Sequence, residues 1–238
     1  MTELMSLLAY GDAGWGDELL RGFWVTMALA LVTAPFALIM SFLIAWGKQA
    51  RRAWVRGLAK GYTTVFRSLP EILTLIIIYY QLQSLQNLGA GLFVAQANIS
   101  LNAFAAGVVA LTLVFSALGS EVVRSAYQAV GKGQAEAAAA MGLHRGQAFF
   151  LVILPQMWRH AIPAFGNLWL ILLKDTSLIS IIAVNDMMRY ANMAIASTRE
   201  PFFFYTILAL VYVGLAFLSG RIQTVLERRA NRNLIGGH

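Results

Sequence analysis

Cysteine is absent from this chain, and charged residues are scarce. Without cysteine the chain can have no disulfide bond, no thiolate metal site and no cysteine nucleophile. Only 12% of the 238 residues are charged, about half the share usual in a soluble domain, while 59% are hydrophobic. A chain of this length could form one large soluble domain or several membrane spans, and the distribution of the few charges decides between them.

Long stretches without any charge run through the chain. Phe23–Trp46 holds 24 residues without an acidic or basic side chain, and 49 uncharged residues separate Glu71 from Glu121. A helix needs about 20 apolar residues to cross the hydrocarbon core, so the second stretch has room for two crossings. The pattern predicts an all-α membrane protein with one transmembrane domain over residues 1–238. Its five predicted spans are 23–46, 69–88, 101–120, 164–185 and 202–221.

The net charge of +7 is concentrated in three segments between the predicted spans. Residues 47–68, residues 121–163 and the tail from Arg221 hold 14 of the 18 basic residues. Lysine and arginine accumulate in cytoplasmic loops, so the N-terminus is predicted to lie outside and the C-terminus in the cytoplasm. An odd number of spans also requires termini on opposite sides. The basic charge therefore reflects membrane topology, and no nucleic-acid partner is predicted.

The predicted cytoplasmic segment 121–163 contains an unusual run, GQAEAAAAMGLHRGQAFFLVILPQ, from Gly133 to Gln156. Alanine is the best helix former, Gly142 suits the left-handed position just beyond a helix, and Pro155 is expected to limit the helix that follows. The run predicts a compact reversal whose first helix is slim enough to fit a groove on a partner protein. A plain connection between spans would need only a few residues.

This run resembles the EAA loop of ABC-importer permeases. The resemblance lies in Glu136-Ala137-Ala138, then Gly142, then Val152-Ile153-Leu154-Pro155, with valine where isoleucine is commoner. It implies that the loop forms the coupling helices that lodge in a groove of the ATPase. The residues it assigns to ATPase coupling are Glu136, Ala137, Ala138, Gly142, Leu154 and Pro155.

Two further motifs narrow the resemblance. YTTVFRSLPEILTLIIIYYQLQ resembles the start of the second span in polar amino acid permeases, with Ser68-Leu69 in place of a glycine and its neighbour. ILLKDTSLIS, followed by STREPFFFY and LERR, is similar to the histidine-type branch, which carries histidine, arginine, lysine, ornithine or opines. The resemblance extends from about residue 20 to residue 230.

The resemblance implies a type I importer permease in the bacterial inner membrane. Such a subunit pairs with a second permease, identical or different, and accepts substrate from a periplasmic binding protein. It rests on a pair of cytoplasmic ATPase subunits, which bind ATP and Mg²⁺. The chain itself has no G-x-x-x-x-G-K-[ST] motif, so the hydrolysis of ATP is assigned to a separate polypeptide and this chain is not itself an enzyme.

Two carboxylates lie in or beside predicted spans, where ionisable groups are costly and usually face a bundle interior or a watery cavity. Asp175, midway along its span, is a candidate to bind a cationic substrate, with Thr176 and Ser177 beside it. An internal pair with Lys174 is an equal alternative, although adjacent helical residues point about 100° apart. Glu71, at the predicted cytoplasmic mouth, is either a further candidate on the substrate path or an interfacial residue.

Other polar residues have plainer interpretations. Glu121 and Arg124 are spaced to form an ion pair at the end of the third predicted span. The three histidines lie in loops or in the tail without the spacing of metal ligands, so no metal site is predicted.

Three other functions compete with the permease interpretation. A secondary transporter is disfavoured because no inverted repeat is detectable. A membrane hydrolase is disfavoured because no histidine lies within a predicted span and G-x-S-x-G is absent. A passive channel for small polar solutes is disfavoured because the charge-free first and fifth spans offer no lining for a pore.

Overall fold

The computed structural model describes residues 6–11, 14–89, 99–182 and 184–231, and within them no strand occurs. The α-helices are, in chain order, α1 Gly16–Lys48, α2 Ala53–Ser68, α3 Glu71–Gly89, α4 Ile99–Ala129, α5 Lys132–Ala140, α6 Arg145–Gln147, α7 Leu154–Asp175, α8 Met187–Thr198 and α9 Pro201–Asn231. A π-helical turn, Ala148–Ile153, joins α6 to α7, and a 3₁₀ helix, Thr176–Ile182, follows α7. The predicted all-helical class is confirmed for this part of the chain.

Four helical stretches of the described residues are long and apolar enough to cross a membrane. They are α1, residues 103–129 of α4, the continuous stretch 145–182, and α9. Helix α2 and residues 71–84 of α3 meet the same criterion only as a pair, bent at the break between them, and this broken span would bring the number to five. The five predicted spans therefore fall within the range of four to five candidates, and the sequence did not predict the bend between α2 and α3.

Helices α1 and α9 extend beyond their predicted spans into charged ends. Asp17 and Glu18 lie in the first turn of α1, and Arg228 and Arg229 lie in the last turn of α9. Acidic residues at a helix N-terminus and basic residues at a C-terminus interact favourably with the helix dipole. The helices can therefore continue past the apolar stretch, where a hydropathy pattern alone would end them.

The chain divides into two compact units, each assembled from separate stretches of sequence. Unit 1 comprises Met1–Phe36, Ser68–Val114 and Ile171–Leu215, and unit 2 comprises Ala37–Arg67, Phe115–Leu170 and Ala216–His238. Helices α1, α4, α7 and α9 contribute residues to both units. The candidate functional residues fall into two sets, one in each unit.

The core of unit 1 joins α1, α8 and the first part of α9. Its buried residues are Leu19, Met187, Ala191, Ala194, Phe204 and Leu208. Gly22 allows the close approach of α1, because a Cβ atom there would lie 2.7 Å from the backbone nitrogen of Met187. Small residues at helix contacts are typical of membrane bundles, in which dispersion and close packing replace the hydrophobic effect.

The core of unit 2 joins the ends of α1 and α4 to the π-helical turn and the start of α7. Its buried residues are Ala45, Val123, Ala126, Val130, Ile153, Met157 and Ala161. Gly119 packs against α1, where any Cβ atom would overlap the Ser41 hydroxyl. This core positions α5, because Ala135 packs directly against it.

Candidate functional site

Helix α5 ends in a Schellman turn at Gly142. The Gly142 N–H donates to the Ala139 carbonyl at 2.9 Å, and the Leu143 N–H donates to the Ala138 carbonyl at 3.1 Å. Gly142 has a φ of 79°, in the left-handed region, where a side chain costs roughly 1–2 kcal/mol. The predicted left-handed position of Gly142 is therefore confirmed, and the glycine sets the direction in which the chain leaves α5.

One side of α5 packs inward and the other is exposed. Ala138 is buried, whereas Glu136, Ala137 and the following Ala139 are exposed. The Glu136 side chain has neither an ion pair nor a hydrogen bond with any residue that the structure describes. Because α5 begins at Lys132, Glu136 lies in its second turn, beyond the first turn where the helix dipole favours an acid most.

The turn after α5 is closed by His144 and Gln147. The His144 N–H donates to the Gln147 side-chain oxygen at 3.2 Å, and the Gln147 N–H donates to His144 Nδ1 at 3.3 Å. This reciprocal capping box begins α6 and fixes the entry to the next helical stretch. A further hydrogen bond, from Gln156 Nε2 to Gln134 Oε1 at 3.1 Å, ties α5 to α7. The loop is therefore an ordered element.

The expectation that Pro155 limits the second helix is wrong. Pro155 is the second residue of α7, which continues to Asp175. The π-helical turn before it gives the physical reason, because the Leu154 N–H donates to the Phe149 carbonyl, five residues back. The widened turn shifts the hydrogen-bond pattern just before a residue that has no N–H to donate, and the helix accommodates the proline.

The segment around Asp175 changes from an α-helix to a 3₁₀ helix. The Thr176 hydroxyl donates to the Leu173 carbonyl at 2.7 Å, and the Ser177 hydroxyl donates to the Lys174 carbonyl at 2.7 Å. Both hydroxyl oxygens keep lone pairs free to accept. Such 3₁₀ stretches are frequent at the C-terminal ends of α-helices, and this one contains the predicted residues Thr176 and Ser177.

Asp175 is a half-buried carboxylate. Its Oδ2 atom is buried and accepts no hydrogen bond from any residue that the structure describes, and it forms no ion pair with Lys174 within 4.0 Å. Glu71 belongs to the same unit and lies close enough for its charge to act on Asp175. The charge of Lys174 also acts on Asp175, although no ion pair within 4.0 Å joins these two residues.

Asp186 is a buried acidic residue that the sequence analysis missed. Its Oδ1 atom caps α8 by accepting from the Arg189 N–H at 2.9 Å, while its buried Oδ2 atom has no hydrogen-bond partner among the described residues. Burial raises the pKa of Asp186 to about 7, although the capping hydrogen bonds act in the opposite direction. An aspartate just before a helix is a recognised capping signal, so it could have been found between the fourth and fifth predicted spans.

Hydroxyl groups from three elements surround this region of unit 1. Thr26 Oγ1 accepts from the Met187 N–H at 3.3 Å, and Thr26 and Thr176 are fully buried. The Tyr212 hydroxyl lies near Thr26, Thr176 and Ser177 but makes no hydrogen bond with a described residue. Buried polar atoms are normally satisfied, so among the described residues of this region the Tyr212 hydroxyl and Asp186 Oδ2 are exceptions.

Glu121 joins three cations in unit 2. Its carboxylate lies 2.8 Å from Lys48 Nζ, 2.9 Å from Arg124 Nε and 3.5 Å from an Arg67 nitrogen. The predicted pair with Arg124 is confirmed, but it is not at a helix end, since α4 continues to Ala129. The Lys48 ammonium is almost inaccessible and also donates to Ser120 Oγ at 2.9 Å, so Glu121 compensates a buried charge.

The two predicted sets of residues belong to different units. The coupling set, from Glu136 to Pro155, lies in unit 2, and the substrate-path set of Asp175, Thr176, Ser177 and Glu71 lies in unit 1. No cluster of three or more histidine or acidic side chains suited to a metal ion occurs in the part of the chain that the structure describes.

Comparison with known proteins places the whole chain in one family. Residues 34–232 match the family described as the binding-protein-dependent transport system inner membrane component. The chain is 35% identical over 233 residues to the octopine transport system permease protein OccQ of Rhizobium meliloti, covering 98% of each chain. It is 34% identical over 217 residues to the histidine/lysine/arginine/ornithine transport system permease protein HisQ of Escherichia coli (strain K12), covering 91% of this chain and 94% of HisQ.

A solved structure has the same fold. The crystal structure of an amino acid ABC transporter with histidines matches this chain with a TM-score of 0.77 and 29% identity, over 90% of this chain and 95% of the other. The predicted resemblance is therefore confirmed in sequence and in architecture. The chain belongs to the inner membrane components of binding-protein-dependent transport systems, and it is a permease subunit related to those of amino acid and opine ABC importers.

Proposed function

We propose that this chain is the membrane-spanning subunit of an ATP-driven importer for a basic amino acid or an opine. A periplasmic binding protein delivers the solute, and a second permease subunit, similar or identical, completes the pathway. A separate pair of ATPase subunits binds ATP and Mg²⁺ and drives the transport cycle. The chain lies in the bacterial inner membrane with its N-terminus in the periplasm and its C-terminus in the cytoplasm.

The observation that carries the coupling role is the exposed side of α5. This short helix is packed on one side, capped by a glycine in the left-handed region and followed by Met141, which is 73% exposed. Its outer surface is built from alanine around one unpaired acid, Glu136. Such a narrow surface fits a groove, and the unpaired acid has a carboxylate to offer to a basic residue of the ATPase.

The substrate class rests on Asp175 and on the relatives. The named substrates of the two curated relatives are octopine and the set histidine, lysine, arginine and ornithine. An unpaired, half-buried carboxylate is suited to a solute with a cationic side chain. The nearby hydroxyls of Thr176 and Ser177 supply acceptors for the α-amino group of such a solute and, when they turn from the backbone, donors for its carboxylate.

Uptake by the reconstituted transporter tests this function. Proteoliposomes containing the permease pair and the ATPase, with ATP inside, should accumulate labelled arginine or octopine when the binding protein is present outside. Omitting ATP or the binding protein should each reduce accumulation to background. Accumulation driven by a proton or sodium gradient without ATP would instead identify a secondary transporter, and ATP-independent equilibration would identify a channel.

A further inference from the structure

Helix α2 has three distinct faces, and one of them makes its apolar contacts with the described part of the chain. Val55, Ala59, Tyr62 and Phe66 follow one another at helical spacing and are only partly exposed. The contacts of this face are specific, since the Tyr62 hydroxyl lies 2.7 Å from the Ser116 hydroxyl. This face holds α2 on unit 2, so the other two faces are presented outward from a fixed helix.

The second face of α2 is apolar and exposed. Trp54, Leu58 and Val65 are 64%, 67% and 52% exposed, and their spacing aligns them along one side of the helix. Gly61 lies on the same strip, with open space around it. An exposed apolar strip with tryptophan at its end is typical of helices that rest on the boundary between lipid headgroups and acyl chains.

The third face of α2 is cationic. Arg52, just before the first residue of α2, is followed at intervals of four residues by Arg56 and Lys60, and Arg67 continues the same side about two turns further on. All four are exposed. No acidic residue occurs anywhere between Glu18 and Glu71, so nothing within this stretch of sequence neutralises them. We name Arg52, Arg56, Lys60 and Arg67 the cationic strip.

The far end of the cationic strip keeps an excess of positive charge. Arg67 reaches Glu121, but the same carboxylate already pairs with Lys48 and Arg124. One negative charge therefore faces three positive charges, and the side chains of Arg67 and Arg124 remain 49% and 45% exposed. No second acidic residue among the described residues pairs with either guanidinium group. Guanidinium N–H groups bind phosphate oxygens well.

We propose that α2 is a binding surface for anionic phospholipids, whose phosphates contact the cationic strip while their acyl chains cover the apolar strip. The two strips lie on opposite flanks of the inward face, which is the arrangement expected of a helix lying in the membrane interface. A basic cluster beside a membrane span attracts anionic headgroups, and each cation contributes about a fivefold change in affinity. An acidic protein surface would match the cationic strip but would leave the apolar strip without a comparable partner.

Native mass spectrometry of the purified complex, titrated with phosphatidylglycerol or phosphatidylcholine at low salt, tests the proposal. The wild type should retain phosphatidylglycerol in clear preference to phosphatidylcholine. The triple change Arg52→Gln, Arg56→Gln and Lys60→Gln should weaken phosphatidylglycerol binding by roughly 100-fold. The matched control removes the same charge from the end of α9, as Arg221→Gln, Arg228→Gln and Arg229→Gln, and should retain most of the binding.

Additional variants separate charge from folding and headgroup from free phosphate. Arg52→Lys with Arg56→Lys keeps the charge and should bind phosphatidylglycerol within a few-fold of wild type. If the triple variant does not fold, the single changes Arg56→Gln and Lys60→Gln should each weaken binding about fivefold. An excess of inorganic phosphate should not displace the lipid, because it has no acyl chain to cover Trp54 and Leu58.

Four results would overturn the proposal. The first is that the wild type retains phosphatidylglycerol and phosphatidylcholine equally, and the second is that the α9 control loses as much phosphatidylglycerol binding as the α2 triple variant. The third is that inorganic phosphate displaces the lipid, and the fourth is that the α2 variants bind phosphatidylglycerol as the wild type does. If the α2 variants instead release a copurified protein chain while lipid retention is unchanged, the cationic strip is a protein-docking surface and the lipid assignment is wrong.

Discussion

Glu136→Lys and Gly142→Asp should each abolish transport while leaving the chain inserted in the membrane. Glu136 is exposed and unpaired in the chain itself, so its charge is free to pair with the ATPase. Breaking a desolvated charge pair costs about 2–5 kcal/mol, which is more than tenfold in the docking equilibrium. Uptake and binding-protein-stimulated ATP hydrolysis in proteoliposomes should both fall to background.

Replacing Gly142 should impair the same docking step by changing the backbone conformation of the turn that ends α5. Any side chain at a φ of 79° strains the turn, and it disturbs the two hydrogen bonds that close α5. Gly133 offers a matched control on the same helix, because its φ is not in the left-handed region and no atom lies within 4 Å of its Cβ position. Gly133→Asp should therefore leave uptake largely intact.

Glu136→Gln separates the loss of a charge from its reversal. It should reduce hydrolysis and uptake less than Glu136→Lys, since it leaves no cation facing the ATPase. If both Glu136→Lys and Gly142→Asp support normal stimulated hydrolysis and uptake, α5 is not the coupling helix.

Asp175→Asn should raise the transport KM for an arginine-like substrate much more than for a neutral amino acid. A solute near the middle of a span has lost hydration, and an unpaired carboxylate replaces part of it. The charge-assisted contact should contribute about 1–3 kcal/mol, equivalent to roughly 5- to 150-fold. Initial uptake rates over a range of substrate concentrations provide the measurement.

Two control variants distinguish this role from a structural one. Glu71→Gln should have a smaller effect, because Glu71 is predicted to lie at the cytoplasmic mouth, where water and salt screen its charge better. A structural Lys174–Asp175 pair predicts poor expression of either single variant and recovery in the double variant Lys174→Gln, Asp175→Asn. Normal transport of basic substrates by Asp175→Asn at normal abundance removes this carboxylate from the substrate path.

Apolar content and turn chemistry made much of the fold predictable. The charge-free runs located the membrane-crossing helices, and the alanine run with Gly142 located α5 and its turn. The apolar content of the sequence did not predict helix α2, because its apolar residues alternate with cations and form no continuous apolar run. A search for helical spacing within 53–68, rather than for hydropathy, would have detected it.

Several features of the structure could not be predicted from the sequence, and the first is a contact between distant residues. Lys48 and Glu121 are 73 residues apart, and nothing local to either indicates their ion pair. The passage of the helix through Pro155 depends on the π-helical turn before it, which local propensity does not predict. Asp186 lies just outside the predicted spans, so its burial does not follow from the apolar pattern, whereas its role as a cap depends only on the helix that follows it.

The orientation of α5 is the central claim, because a coupling helix must face the ATPase in the cytoplasm. The chain has no cysteine, so single cysteines at Gln134 and Glu200, both exposed, can report the two sides. A membrane-impermeant thiol reagent applied to intact spheroplasts should label Glu200→Cys and not Gln134→Cys, whereas lysed membranes should label both. Labelling of Gln134→Cys but not Glu200→Cys in intact spheroplasts would contradict the topology and, with it, the coupling role of α5.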